Sequence, residues 1–140
     1  MEKVYLSLGS NLGDRRANIL RAIGELDARL EKPHSALSSI IETGAWGFSG
    51  GAFLNCAVLY ETGLPPMELL RVCKEIERSM GRQEKIEFDS DGARIYHDRI
   101  IDIDILLYGQ RSVDTPELKI PHPLMHEREF VMRPLREIYR

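Results

Sequence analysis

Residues Ile101-Asp102-Ile103-Asp104-Ile105 alternate strictly between β-branched apolar and acidic side chains. With a period of two, this stretch is a strand whose isoleucines enter one layer while both aspartates emerge together on the other face. It therefore demands a sheet with one packed side and a polar area opposite. The Cα atoms of the two aspartates lie roughly 6.6 Å apart in such a strand, so both carboxylates can converge on a hard cation such as Mg²⁺. Aspartate is depleted in strands, and two like charges on one face repel unless something positive sits between them. Taken alone, the pair is explained equally well as the wet acidic face of a half-solvated strand.

The rest of the chain supplies partners for that strand. Lys3 to Gly9 is a second strand, stopped by Gly9-Ser10-Asn11-Leu12-Gly13. Asp14 caps a helix in which Ile19, Ile23, Leu26 and Leu30 recur at three- and four-residue spacing until Pro33. Leu37 to Thr43 and Ala52 to Thr62 are strands separated by the turn-rich stretch Gly44 to Gly51, a connection short enough to make them antiparallel neighbours. Pro65 and Pro66 open a second helix with an apolar stripe of Leu69, Leu70, Cys73, Ile76 and Met80, and Gly81 offers its stop. Arg82 to Asp98 is polar and aperiodic, with a turn at Asp89-Ser90-Asp91-Gly92, and is expected to be a long mobile loop or a loose hairpin. Ile100 to Tyr108 is the strongest strand. A proline-rich connection, Pro116 to Pro123, then leads to His126 to Tyr139, whose Phe130, Leu135 and Ile138 follow a helical pattern interrupted by Pro134. The order β α β β α β, followed by a tail, predicts an α+β sandwich on an antiparallel sheet, in a single domain spanning residues 1–140 with no internal repeat.

Composition narrows the function. A chain of 140 residues that is 43% hydrophobic and 29% charged fills a core and still covers itself with ionised groups. Nineteen basic against 22 acidic residues leave a net charge of −3, which argues against a broad phosphate-gripping surface and hence against a nucleic-acid partner. Cys56 and Cys73 sit among apolar neighbours without CxxC spacing, as buried thiols of a reducing compartment do. No apolar run approaches the roughly 20 residues that cross a bilayer, and no signal-peptide apolar segment follows Met1. The expectation is a cytoplasmic protein with no membrane partner.

Cations surround the acidic pair in sequence. Arg99 lies three residues before Asp102, Arg82 opens the polar loop, and His122 and Arg128 follow through Pro121-His122-Pro123. Two acidic metal ligands with several scattered cations are what a polyphosphate needs, the metal bridging phosphate oxygens and arginine forks neutralising the rest. His122 and His126 are four apart, but Pro123 lies between them and no HExxH glutamate is present, so a zinc site is disfavoured. Gly9 to Gly13 lacks the Gly-Lys-Ser/Thr ending of a P-loop and the full GxGxxG, and is read as a plain strand-to-helix turn. Thr43, Trp46, Phe53 and Asn55 flank the second turn, where two aromatic rings and an amide suit a flat heterocycle, although core packing explains Trp46 and Phe53 equally well.

These residues resemble a known family, the 6-hydroxymethyl-7,8-dihydropterin pyrophosphokinases of folate biosynthesis. The resemblance runs from Tyr5-Leu6-Ser7-Leu8-Gly9-Ser10-Asn11-Leu12-Gly13 through Phe53-Leu54-Asn55 and Asp98-Arg99-Ile100-Ile101-Asp102-Ile103-Asp104-Ile105-Leu106-Leu107-Tyr108 to Ile120-Pro121-His122-Pro123-Leu124-Met125 and Arg128-Glu129-Phe130-Val131. It implies a ferredoxin-like βαββαβ sandwich with C-terminal additions, transferring the terminal diphosphate of ATP to the hydroxymethyl oxygen of a reduced pterin and releasing AMP. By the same matching, Asp102 and Asp104 hold two Mg²⁺ ions, and the pterin lies between Phe53 and Phe130 with Asn55 and the backbone near Thr43 and Gly44 reading its edge. Arg82, Arg99, His122 and Arg128 become phosphate or nucleotide contacts, Arg82 and Arg99 catalytic among them, while Glu77 and Trp46 line the site. The implied partners are ATP and the pterin alone, on a monomer. The chain departs from the family in having His97-Asp98 before Arg99 and in the loop from Glu84 to Tyr96, which lacks the usual arginine and tryptophan: Glu84 stands where a basic residue is frequent, and Tyr96 substitutes for the aromatic residue.

Two other readings stay open at this level. A metal-dependent phosphohydrolase or nuclease uses the same carboxylate pair, and a ferredoxin-like binding module needs neither aspartate.

Overall fold

The computed structural model describes residues 1–30, 32–44, 51–81 and 100–139, together with the backbone of two short strands at Glu87–Phe88 and Arg94–Ile95. Its main sheet is built from β1 (Glu2–Ser10), β2 (Ala36–Leu37), β3 (Ile41–Thr43), β4 (Phe53–Thr62) and β7 (Asp102–Tyr108), with the Glu87–Phe88 and Arg94–Ile95 strands numbered β5 and β6. The strands run in the order β2-β4-β1-β7, all pairings antiparallel, with β3 also on β4. The fold is thus α+β on an antiparallel sheet, and β7 is an edge strand.

Helix α1 (Arg15–Arg29) begins where the sequence requires, with the Asp14 side chain accepting a hydrogen bond from the Ala17 amide at 3.1 Å. Helix α2 (Pro66–Ser79) starts on its prolines and stops before Gly81, whose φ of 100° is open to glycine at little cost. Both helices cover one face of the sheet. Ile19, Ile23 and Leu26 from α1 and Leu69, Cys73 and Ile76 from α2 meet Leu6 and Leu8, Val58 and Tyr60, and Ile103 and Ile105 in the larger core. Burial of each such aliphatic side chain contributes about 1.5–3 kcal/mol. Cys56 and Cys73 are buried free thiols within this layer, and burial pushes the Cys56 thiol up to about 12.

The third helix, α3 (Glu129–Ile138), packs on the opposite face, where Val131, Leu135 and Ile138 close a second core over Tyr5, Ala57, Leu59 and Leu106. The helix continues through Pro134, which forgoes the bond to the Phe130 carbonyl; the apolar stripe outweighs that loss. The face it covers is only part of the sheet, and the uncovered part carries the polar residues taken up below.

Two local features differ from the sequence expectation, and a third falls within it. The strand expected over Leu37 to Thr43 is split into β2 and β3, because Ser38 Oγ accepts the Ala57 amide at 2.8 Å in place of a backbone carbonyl. Within the polar stretch Arg82 to Asp98, Glu87 pairs with Ile95 and Phe88 with Arg94, which is the hairpin of the two alternatives expected there; the expected mobility falls outside the described residues. The proline-rich connection supplies the second strand of a further small hairpin, β8 (Val113–Asp114) on β9 (Lys119–Ile120), and a cis Ile120–Pro121 bond ahead of a 3₁₀ turn at Met125–Glu127.

Candidate active site

The alternation read at Ile101 to Ile105 holds: Ile101, Ile103 and Ile105 are buried, and Asp102 and Asp104 are half-exposed on the face that carries α3. The alternation then stops. Tyr5 pairs with Leu107 but Leu6 pairs with Ile105, so Leu106 is the extra residue of a bulge, and both Leu106 and Leu107 turn toward α3. The bulge divides β7 into an apolar half beneath α3 and an acidic half beyond it.

Register defines what stands beside the aspartates. Gly9 of β1 pairs with Asp102 on one side and with Asn55 of β4 on the other, and Ser7 pairs with Asp104. Directly opposed residues of antiparallel strands share a face, so Asn55, Gly9 and Asp102 form a row across the sheet. With strands about 4.8 Å apart, Asn55 and Asp102 are separated by about 10 Å of backbone that bears no side chain. Thr43 pairs with Phe53 and Ile41 with Asn55, which brings Thr43 and Phe53 to the same end of the same face.

The floor at Gly9 has a steric reason. A Cβ there would lie 2.7 Å from Asn55 Oδ1 and 3.4 Å from Phe53 Cδ1. A glycine inside a strand marks such a close approach, so Gly9 is more than the first residue of the turn its sequence predicts. Asn55 is 3% exposed. Its Nδ2 donates to Thr43 Oγ1 at 2.9 Å, which orients the amide.

The second wall comes from the segment after β9. The His122 amide donates to the Leu106 carbonyl oxygen at 3.0 Å, docking the segment on β7. The ring Nδ1 accepts from the Leu124 amide at 3.3 Å, which leaves the proton on Nε2. Burial holds the His122 ring below the usual imidazole range, the Arg128 cation reinforces this, and the Asp102 carboxylate partly offsets it. His122, Arg128 and Asp102 therefore share one electrostatic neighbourhood. Arg128 precedes α3 and places its guanidinium 5.7 Å from the centre of the half-buried Phe130 ring.

Glu77 lies under the site from the α2 side. It is 1% exposed, one carboxylate oxygen accepts the Ile103 amide at 2.8 Å, and the other lies 3.7 Å from Lys74 Nζ. A carboxylate on the apolar stripe of α2 thus accepts from the one backbone amide of β7 that lies between the two aspartates. Gly44 follows β3 and is exposed. Trp46, Arg82 and Arg99, together with Glu84, Tyr96, His97 and Asp98, lie outside the described residues.

The donor set suits a hard cation. Asp102 and Asp104 are open to solvent on one side, and among the described residues no group of three or more His, Cys, Asp or Glu side chains forms a closed metal cage. Mg²⁺ is commonly held by one or two carboxylates, with waters and substrate phosphates completing its octahedron, whereas structural zinc requires such a cage. His126 is exposed in the 3₁₀ turn.

The 7,8-dihydro-6-hydroxymethylpterin-pyrophosphokinase (HPPK) profile matches residues 5–140. The chain is 45% identical over 140 residues to the 2-amino-4-hydroxy-6-hydroxymethyldihydropteridine pyrophosphokinase of Porphyromonas gingivalis, covering 99% of this chain and 91% of that one. It is 43% identical over 139 residues to the Aquifex aeolicus protein of the same name, covering 99% and 81%. The folic acid synthesis protein FOL1 of Dictyostelium discoideum is 41% identical over 138 residues, which cover 96% of this chain and 19% of that longer protein. With a match across nearly its whole length, the chain belongs to the 7,8-dihydro-6-hydroxymethylpterin-pyrophosphokinase family.

Proposed function

We propose that this chain transfers the terminal diphosphate of ATP to the hydroxymethyl oxygen of 6-hydroxymethyl-7,8-dihydropterin and releases AMP, a step of folate biosynthesis. The observation that carries the reading is the row Asn55–Gly9–Asp102: an amide beside an aromatic ring at one end, a carboxylate pair at the other, and bare backbone between. A flat acceptor at one end and a polyphosphate at the other meet over that glycine.

In this reading Phe53 and Phe130 stack on the pterin, and Asn55 and Thr43, with the backbone at Gly44, recognise its edge. Asp102 and Asp104 would hold two Mg²⁺ ions, which supply charge neutralisation to the triphosphate. Arg128 and a neutral His122 donate to nucleotide or phosphate oxygens, and Glu77 keeps the aspartate strand in place from below. The hydroxymethyl oxygen attacks the β-phosphorus in line, its bond to the oxygen shared with the α-phosphorus breaks, and AMP departs as the hydroxyl proton is lost. Arg82, Arg99 and Trp46 join the phosphate and pterin contacts on the strength of the sequence resemblance.

The sheet order supports a ferredoxin-like sandwich in one domain over residues 1–140, when β2 and β3 count as a single strand. Two buried free thiols suit the reducing cytoplasm. Among the described residues no helix is long and apolar enough to cross a membrane.

The deciding experiment measures AMP released from Mg-ATP with and without the pterin alcohol. AMP forms only when the pterin is present; inorganic phosphate released in its absence would identify a hydrolase instead. A second expected result concerns the stacking rings. Phe53→Ala weakens pterin binding at least about fivefold by calorimetry, the scale of one stacking contact of about 1 kcal/mol, and leaves ATP binding unchanged. Phe130→Ala does the same and also lowers the melting temperature, because its ring leans on the second core.

A further inference from the structure

The first residue of α1 reaches across the end of the sheet. Arg15 Nη1 donates to the Ala52 carbonyl oxygen at 2.9 Å, and Nη2 lies 2.8 Å from Glu42 Oε2. Glu42 is the middle residue of β3, and Ala52 immediately precedes Phe53 at the start of β4. One guanidinium therefore holds both strands of the hairpin that carries Thr43 and Phe53. Asn11 ties the same hairpin a second time, its Nδ2 donating to the Gly51 carbonyl oxygen at 3.2 Å.

This hairpin needs an external tie. Strand β3 is only three residues long, and its ladder ends at the Thr43–Phe53 pair. Short ladders of this kind open locally at little cost in free energy. Because Asn55 Nδ2 donates to Thr43 Oγ1, opening of β3 also frees the amide. A planar guanidinium presents donors in fixed directions and can hold a carboxylate and a carbonyl at once, which a lysine ammonium does less well.

We infer that Arg15, assisted by Asn11, is a positioning residue for the acceptor half of the site, fixing Phe53, Asn55 and Thr43 in one arrangement before substrate arrives. The inference rests on the pterin reading above. Such pre-organisation acts on acceptor affinity. It leaves the carboxylate pair untouched, since β7 pairs with β1 and not with the hairpin. The ion pair is 31% and 59% exposed at its two side chains, so it adds little to global stability.

The test uses Arg15→Met, which keeps the aliphatic stem, with Arg15→Lys and Glu42→Gln for comparison. Arg15→Met raises KM for the pterin alcohol about fivefold, the scale of one partly exposed charged contact, while kcat and KM for ATP stay within about twofold. Arg15→Lys falls between, and Glu42→Gln, which keeps an acceptor oxygen, stays near the wild type. Hydrogen exchange on the ligand-free protein gives a readout independent of turnover: the amides of β3 and Phe53 exchange about fivefold faster in Arg15→Met, and those of β7 do not change. An inactive wild-type chain removes the pterin reading, and the exchange result then decides the positioning role alone. Unchanged pterin KM in folded Arg15→Met, or equal rises for pterin and ATP, overturns the inference, as does uniform acceleration of exchange across the sheet. If Arg15→Met does not fold, Glu42→Ala at the exposed end of the pair carries the same two measurements and the same criteria.

Discussion

Replacing either Asp102 or Asp104 by alanine reduces AMP formation by about a thousandfold or more, because charge neutralisation by a bound metal is worth several kcal/mol in a phosphoryl transfer and each aspartate supplies half of the carboxylate pair. The fold survives. Both side chains are half-exposed on the polar half of an edge strand, while Ile101, Ile103 and Ile105 anchor that strand from the other face. Removing one carboxylate also relieves repulsion between the two, so the melting temperature in metal-free buffer holds or rises. Asp104→Asn, which keeps the shape and one neutral oxygen, follows alanine in activity if the carboxylate charge is what matters. Steady-state AMP release together with thermal melting in chelator decides the matter. Wild-type turnover in either alanine variant removes the metal assignment, and loss of the folded state moves the aspartates from chemistry to structure.

The parts of the fold that were legible in sequence are those where one local period dominates. Ile101 to Ile105 alternate because each isoleucine meets the α1 and α2 layer, and the stripes of α1 and α2 follow from the same burial. Their ends were legible too, since Asp14 and the Pro65-Pro66 pair act through local backbone chemistry. Long-range effects were hidden. The Leu106 bulge depends on the register of β7 against β1, and the break in β2–β3 depends on a Ser38 hydroxyl replacing a backbone acceptor for a residue nineteen positions away. Pro134 read as an interruption because helix propensity is local, whereas the second core that holds α3 together is assembled from β1, β4 and β7. Among the candidate site residues, the aspartates, Phe53, Asn55 and His122 were visible by type and spacing. The carboxylate of Glu77 was named, but its bond to the Ile103 amide joins residues 26 apart. Gly9 reads in sequence only as part of a turn, and Arg15 carries no signal there, because what they do is geometric: one leaves space, and the other spans two strands distant in sequence.

Gly9→Val is the sharpest probe of that geometry, and it is expected to lower kcat/KM for the pterin alcohol by about a hundredfold or more, the penalty of a misplacement near 1 Å at a reacting centre. The first added carbon meets Asn55 Oδ1 at 2.7 Å, and Asn55 is buried and bonded to Thr43, so the amide must turn away from its partner to relieve the contact. The branch of valine then stands between the Asn55 end and the Asp102 end of the row, where the acceptor oxygen and the phosphate are to meet. Strand formation itself tolerates the change. Valine is favoured over glycine in a strand, which offsets part of the roughly 1–3 kcal/mol that overpacking costs. Gly9→Ala presents the same Cβ without the branch and therefore falls between the wild type and Gly9→Val, with a larger effect on pterin KM than on kcat. Calorimetric binding of Mg-ATP stays within a few-fold in both, because Asp102 and Asp104 keep their register on β1. If Gly9→Val binds the pterin as the wild type does and turns it over at the same rate, the acceptor does not lie over this glycine, and the row across the sheet loses its place in the reaction.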